Sequence, residues 1–97
     1  MLVTAKLFAR LRVAIGKDEI QLNISGNRIS DLIRQLAQDY RVQEILYDEN
    51  GNAAPMIIVI NNSETARITE ANTALGGLDK ELRDGDVVSI LEQGCGA

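Results

Sequence analysis

The residues able to do covalent chemistry are few, and they gather at one end of the chain. Cys95 is the single cysteine and there is no histidine, so the usual general base and the commonest metal ligand are both missing. One thiol can make neither an internal disulfide nor a cysteine-based metal cluster. A thiol is reactive as its thiolate, and no cationic residue stands beside Cys95 in Glu92-Gln93-Gly94-Cys95-Gly96-Ala97 to favour that form. Asp84 and Asp86 are the other conspicuous pair, but flanking Gly85 they suit a tight turn better than a cation site. What remains is the main-chain carboxylate behind a small, glycine-rich tail. Nothing in that tail can be buried or locked, so the sequence predicts a loose segment. Fully extended, it carries the carboxylate roughly 20 Å from the preceding strand.

Composition narrows the function classes further. At 97 residues, 45% hydrophobic and 25% charged, the chain suits one small domain with a single core. A net charge of −4 offers no basic patch for phosphates, which argues against nucleic acid. It suits a protein partner with a basic docking surface. No apolar run approaches a membrane span and the start lacks a signal-peptide pattern, so no membrane association and a cytoplasmic location are expected. A chain without histidine, with its only cysteine in a tail, is a poor candidate for an enzyme on its own.

The elements that must position the tail can be read from periodicity. Met1 to Leu11 alternates, with Val3, Ala5, Leu7 and Ala9 on one face and Leu2, Thr4, Lys6, Phe8 and Arg10 on the other, which predicts a half-buried strand. Gly16-Lys17-Asp18 is turn chemistry. Ile20, Leu22 and Ile24 then alternate with polar residues as a second strand, paired with the first as a hairpin. Ser30 is the expected N-cap of a helix, with Asp31 in its first turn and Ile29, Leu32, Ile33, Leu36, Ala37 and Tyr40 as its apolar stripe. Val42 to Tyr47 suggests a further helical turn, and Asp48 to Asn52 a solvated loop. Met56-Ile57-Ile58-Val59-Ile60 is continuously apolar, as in a strand covered on both faces or presenting its second face to a partner. Asn61-Asn62-Ser63 is a turn, and 68–82 is irregular, with one helical turn expected at Leu78 to Leu82. Val87 to Leu91 is the last strand, entered through Asp84-Gly85-Asp86. The order gives an α+β domain over residues 1–91, its terminal strands side by side in a mixed sheet, and a tail at 92–97.

Four stretches resemble the MoaD/ThiS-type sulfur-carrier family. Leu7-Phe8-Ala9-Arg10-Leu11-Arg12 is similar to that family's "LFARLRE" opening, and Leu82 to Leu91 to its "LxDGDxVxIL" close. Asp31-Leu32 and the apolar strand ending at Asn61 occupy matching places. The resemblance implies a ubiquitin-like β-grasp, with a mixed four- to five-stranded sheet and one main helix on one face. It also implies that the C-terminal carboxylate is adenylated by a ubiquitin-activating-type enzyme, which uses ATP. The adenylate is converted to a thiocarboxylate that donates sulfur to a synthase, and the two end motifs favour the molybdopterin or tungstopterin pathway. No cofactor is then bound permanently, and no metal. The sulfur-accepting partner would be a protein such as a molybdopterin synthase large subunit. By the same resemblance the uncovered sheet face docks the partners through Phe8, Arg10, Met56, Ile58 and Ile60.

The ending departs from the family's "PPVAGG". Ala97 stands where the last glycine is expected, and Cys95 where a small residue precedes the pair. Three readings are open. A metalloprotease removes Ala97 and leaves Gly96 as the working carboxylate; Ala97 is itself adenylated; or the tail is no longer activated. Cys95 is either a small residue in the Gly94-Cys95-Gly96 tail or a participant in sulfur handling, through a persulfide or an acyl disulfide. A carrier for homocysteine, cysteine or thiamine synthesis, a modifier joined to protein lysines, and a non-carrier binding subunit are the alternative functions. Residues from about Thr69 to Gly77 look like an insertion relative to compact members.

Overall fold

The computed structural model describes residues 1–68 and 77–92. The chain runs β1 (Leu2–Leu7), α1 (Ala9–Ile15), β2 (Glu19–Asn23), α2 (Ile29–Tyr40), α3 (Gln43–Leu46), β3 (Met56–Ile60), β4 (Glu64–Ile68) and β5 (Val87–Glu92). The five strands form one sheet in the order β2-β1-β5-β3-β4. β1 and β5 are parallel and adjacent, while the β1–β2, β3–β4 and β3–β5 pairs are antiparallel. The expected mixed sheet with neighbouring terminal strands is therefore present, with β5 at its centre.

Alternation decides the two faces. Val3, Ala5 and Leu7 of β1, Ile20 and Leu22 of β2, and Val88 and Ile90 of β5 are all buried. Against that face α2 lays its stripe of Ile29, Leu32, Ile33, Leu36 and Ala37, each at 2% exposure or less. Removing a Leu or Ile side chain from water contributes about 1.5–3 kcal/mol, so this interlayer is the main favourable contribution to the fold. Leu46 of α3 closes the same core.

α2 begins two residues earlier than the Ser30 cap expected from sequence. Its N-cap is Arg28, whose backbone N–H donates to Asp31 Oδ2 at 3.1 Å. The next two N–H groups, of Ile29 and Ser30, donate to the carbonyls of Lys80 and Leu78 at 3.0 Å each. Helix N–H groups without an intrahelical acceptor need such partners, and here a distant loop supplies them. That use explains why 77–79 is a turn and Glu81 an isolated bridge to Arg28, in place of the helical turn expected at Leu78 to Leu82.

The opening strand is also shorter than its alternation suggested. It ends at Leu7, and Ala9–Ile15 is helical, so the β1–β2 connection is α1 rather than a simple hairpin turn. Leu11 is buried and Ile15 half-buried, one helical turn apart. Gly16, at φ 83°, ends the helix by donating its N–H to the Arg12 carbonyl at 2.8 Å, a left-handed conformation that suits glycine. Among the described residues no helix is long and apolar enough to cross a membrane.

Candidate functional site

β5 leads directly into the tail, and its entry is held on three sides. Gly85 turns at φ 89°, a backbone geometry that glycine adopts without Cβ strain. Asp84 Oδ1 accepts the Leu2 N–H at 2.8 Å, and Asp86 Oδ2 accepts the Arg83 N–H at 2.8 Å. The other Asp86 oxygen accepts from the Asn61 amide at 3.0 Å, while Asn61 Oδ1 accepts the Val87 N–H at 2.8 Å. Both carboxylates thus serve the turn and tie β5 to β1 and to the β3–β4 connection. That is the turn role anticipated for them in the sequence.

The exit of β5 lies at the opposite end. Glu92 is paired with Met56, and the parallel pairing brings Ile90 beside Leu7. The strand therefore leaves the sheet at the end where β1 gives way to Phe8 and α1. The expected reactive group on Gly96 or Ala97, and the tail residues Gly94 and Cys95, lie outside the described residues, as does all but the last residue of the insertion expected from Thr69 to Gly77.

The sheet face turned away from α2 is divided chemically. On β5 and β3 it carries Val87, Leu91, Ile57 and Val59, with Leu91 directly across from Ile57. Phe8, at 41% exposure, and Leu91, at 36%, are exposed apolar groups near the exit. On β2 the same face is polar, with Glu19, Gln21 and Asn23 all exposed. Thr4 and Lys6 of β1 lie between the two regions, and Ser89, paired with Lys6, interrupts the apolar row of β5. Phe8 is accessible as expected, and Arg10 is exposed on α1 rather than on a strand.

Met56, Ile58 and Ile60 require a correction. They are 1%, 0% and 3% exposed and face α2, so they cannot meet a partner. The reason is parity. Ile58 and Ile60 pair with the inward residues Ile90 and Val88, which leaves Ile57 and Val59 on the outer face. A continuous apolar run hides its own parity, so the accessible pair could be found only through the register with β5.

Other features lie apart from this surface. A cleft of about 790 Å³, lined by Ile60, Asn61, Glu64, Lys80 and Arg83 among others, sits at the entry end of β5, away from the exit. Lys80 and Glu64 form an ion pair across it. Tyr47, between α3 and the Asp48–Asn52 loop, carries a perturbed hydroxyl. Burial pushes its hydroxyl above the ordinary value of 10.0, and nearby Arg34 partly offsets this.

Comparison with solved structures places this geometry. Small archaeal modifier protein 1 of Methanosarcina acetivorans is 28% identical, with a TM-score of 0.72 over 99% of this chain and 96% of that one. The Pyrococcus furiosus protein assigned as molybdopterin converting factor subunit 1 is also 28% identical, with a TM-score of 0.62 over 97% and 99%. CysO of Mycobacterium tuberculosis is 27% identical, with a TM-score of 0.66 over 95% and 99%. No family model matches the chain, and no curated protein matches it in sequence. The fold is the ubiquitin-like β-grasp. Its structural neighbours are those of the MoaD-type family of ubiquitin-like sulfur carriers and modifiers, the family that the opening and closing motifs resemble.

Proposed function

We propose that this chain is a ubiquitin-like sulfur carrier acting through its C-terminal carboxylate. The observation that carries the reading is the position of β5. The central strand, fastened at its entry by Asp84, Asp86 and Asn61, leaves the sheet beside an uncovered apolar strip. A partner seated on Phe8, Leu91, Ile57 and Val59 would find the tail at the edge of its own footprint. Exposed apolar strips of this kind are typical of protein docking surfaces.

The chemistry follows from the acyl group. A carboxylate oxygen attacks the α-phosphorus of ATP on the adenylating enzyme and pyrophosphate leaves. Hydrosulfide attacks the acyl carbon and AMP leaves, giving the thiocarboxylate. Transfer of its sulfur to an acceptor, with water supplying the oxygen, restores the carboxylate. The carrier contributes positioning, and its partners the catalysis. The working terminus is Gly96 after removal of Ala97 by a protease, or Ala97 itself.

The molybdopterin or tungstopterin pathway is the favoured destination, supported by the end motifs and by the Pyrococcus furiosus neighbour. A sulfur-carrier role in another pathway is the alternative within the class, with CysO among the neighbours. The small archaeal modifier neighbour supports a second reading, conjugation of the same carboxylate to protein lysines. Intact mass separates these readings after incubation with the adenylating enzyme of the same host, ATP and a sulfur donor. The carrier gains the mass of sulfur replacing oxygen, on Gly96 or Ala97. A modifier instead appears as isopeptide-linked adducts. An unchanged mass with active enzyme would overturn the carboxylate reading and leave the sheet face as the functional surface.

A further inference from the structure

The Asp48–Asn52 loop has no part in the surface above, yet it holds the chain's one Asn-Gly step, Asn50-Gly51, exposed to solvent. Asn-Gly is the dipeptide most open to self-modification, because glycine places no side chain in the way of ring closure. The Gly51 nitrogen attacks the Asn50 side-chain carbonyl carbon, ammonia leaves, and a cyclic succinimide forms. Water then opens the ring to aspartate or isoaspartate. The attacking nitrogen must lose its proton and turn toward the side chain, so its hydrogen bonding controls the reaction.

Here that nitrogen is engaged. The Gly51 N–H donates to the Asp48 carbonyl at 3.0 Å. Asp48 Oδ1 accepts two further N–H groups, from Asn50 at 2.9 Å and from Asn52 at 3.0 Å. The Asp48 N–H closes the loop on the Asn52 carbonyl at 2.8 Å, and Tyr47 is bridged to Ala53 just outside it. Four hydrogen bonds therefore converge on Asp48, and each opposes the rotation that ring closure needs.

We infer that Asn50 is a latent deamidation site whose reaction is held back by Asp48, acting through its hydrogen bonds as a clamp on the loop. Modification then passes through local opening, and its rate follows the open population. The product puts a new negative charge beside Asp48 and Glu49, and the isoaspartate form also lengthens the backbone within the clamp.

The test is deamidation of the intact protein at mildly alkaline pH, followed by mass spectrometry with isoaspartate-specific enzymatic methylation at Asn50. Native wild type should react at least about ten-fold more slowly than the urea-unfolded chain, since losing one or two such bonds is worth roughly ten- to thirty-fold. Asp48→Ala should recover most of that difference, while Asp48→Asn, which keeps the side-chain acceptor and removes the charge, should stay near wild type. Circular dichroism checks that the variants remain folded. Amide exchange at Gly51 in the wild type gives an independent reading, with protection expected. Equal rates for folded and unfolded wild type, an unprotected Gly51 amide, or a folded Asp48→Ala variant as slow as wild type would overturn the inference. So would acceleration of Asp48→Asn to the Asp48→Ala rate, because charge rather than the clamp would then be the cause.

Discussion

Replacing Ile58 and its neighbour Ile57 by alanine, one at a time, tests the parity of β3. Ile58 is fully buried, flanked in the sheet by Ile90 and Ala66, while Ile57 is half-buried on the outer face beside Leu91. Truncating a buried isoleucine costs about 2–5 kcal/mol through lost transfer energy and the cavity left behind. A domain of this size has roughly 5–15 kcal/mol of stability in all, so Ile58→Ala should remove a large share of it. At about 4–8 °C per kcal/mol, a loss near 3 kcal/mol lowers Tm by roughly 12–24 °C. Ile57→Ala removes less area from water and leaves no closed cavity, so about 1 kcal/mol is expected. Urea melts with a shared slope would give both values. The functional readout should run the other way. In adenylation assays with the activating enzyme, Ile57→Ala should raise the KM for this chain by about five- to thirty-fold, the loss of one good interface contact. Ile58→Ala, assayed cold enough to stay folded, should leave KM nearly unchanged. If the stability costs were equal, or if Ile58→Ala alone weakened docking, the assignment of faces would be wrong.

Three further outcomes follow from particular contacts. Asp31→Ala removes the acceptor for the Arg28 N–H at the start of α2 and should cost about 1 kcal/mol in urea melts, with Asp31→Asn much milder. Asn61→Ala loses the side-chain bonds to Asp86 and Val87 and places alanine at φ 52°, so a loss of about 1–3 kcal/mol is expected. Asn61→Gly should recover only the backbone part. Tyr47 links stability to alkaline pH. Its folded hydroxyl is raised above 10.0, mainly by burial, so the unfolded chain loses that proton first. Stability is then independent of this group below that value and falls as pH rises above it, and Tyr47→Phe should remove that contribution in pH-dependent melts.

How far the sequence could be read depended on whether each element carried its own period. α2 announced itself through Leu32, Ile33 and Leu36, and β3 was found over Met56–Ile60 because it is uniformly apolar. α1 was missed because Val3, Ala5, Leu7, Ala9 and Leu11 extend a two-residue period across the break at Ala9, whose φ is 51°. The spacing of Leu11 and Ile15 was the helical signal available. β4 was missed because Glu64-Thr65-Ala66-Arg67-Ile68 is an edge strand with little apolar alternation. Its clue was Asn61-Asn62, two successive residues with positive φ of the kind that reverse a hairpin. At the candidate site, the exposure of Phe8 was legible from alternation. The outer residues of β3 were not, since parity there is set by β5, a strand remote in sequence.

The pairing of β1 with β5 also has a consequence for the order of assembly. These two strands stand at opposite ends of the described chain yet are central neighbours, so the contacts completing the sheet close the longest loop in the fold. Such high contact order delays folding, because loop-closure entropy is incurred before the pairing can repay it. During synthesis β1 and β3 emerge well before the strand that belongs between them, and until it arrives each has an open hydrogen-bonding edge. A nascent chain therefore cannot complete this outer face ahead of the residues that follow β5. The outer strip, built from residues of β3 and β5 with Phe8 just after β1, comes into being only together with the segment it would deliver.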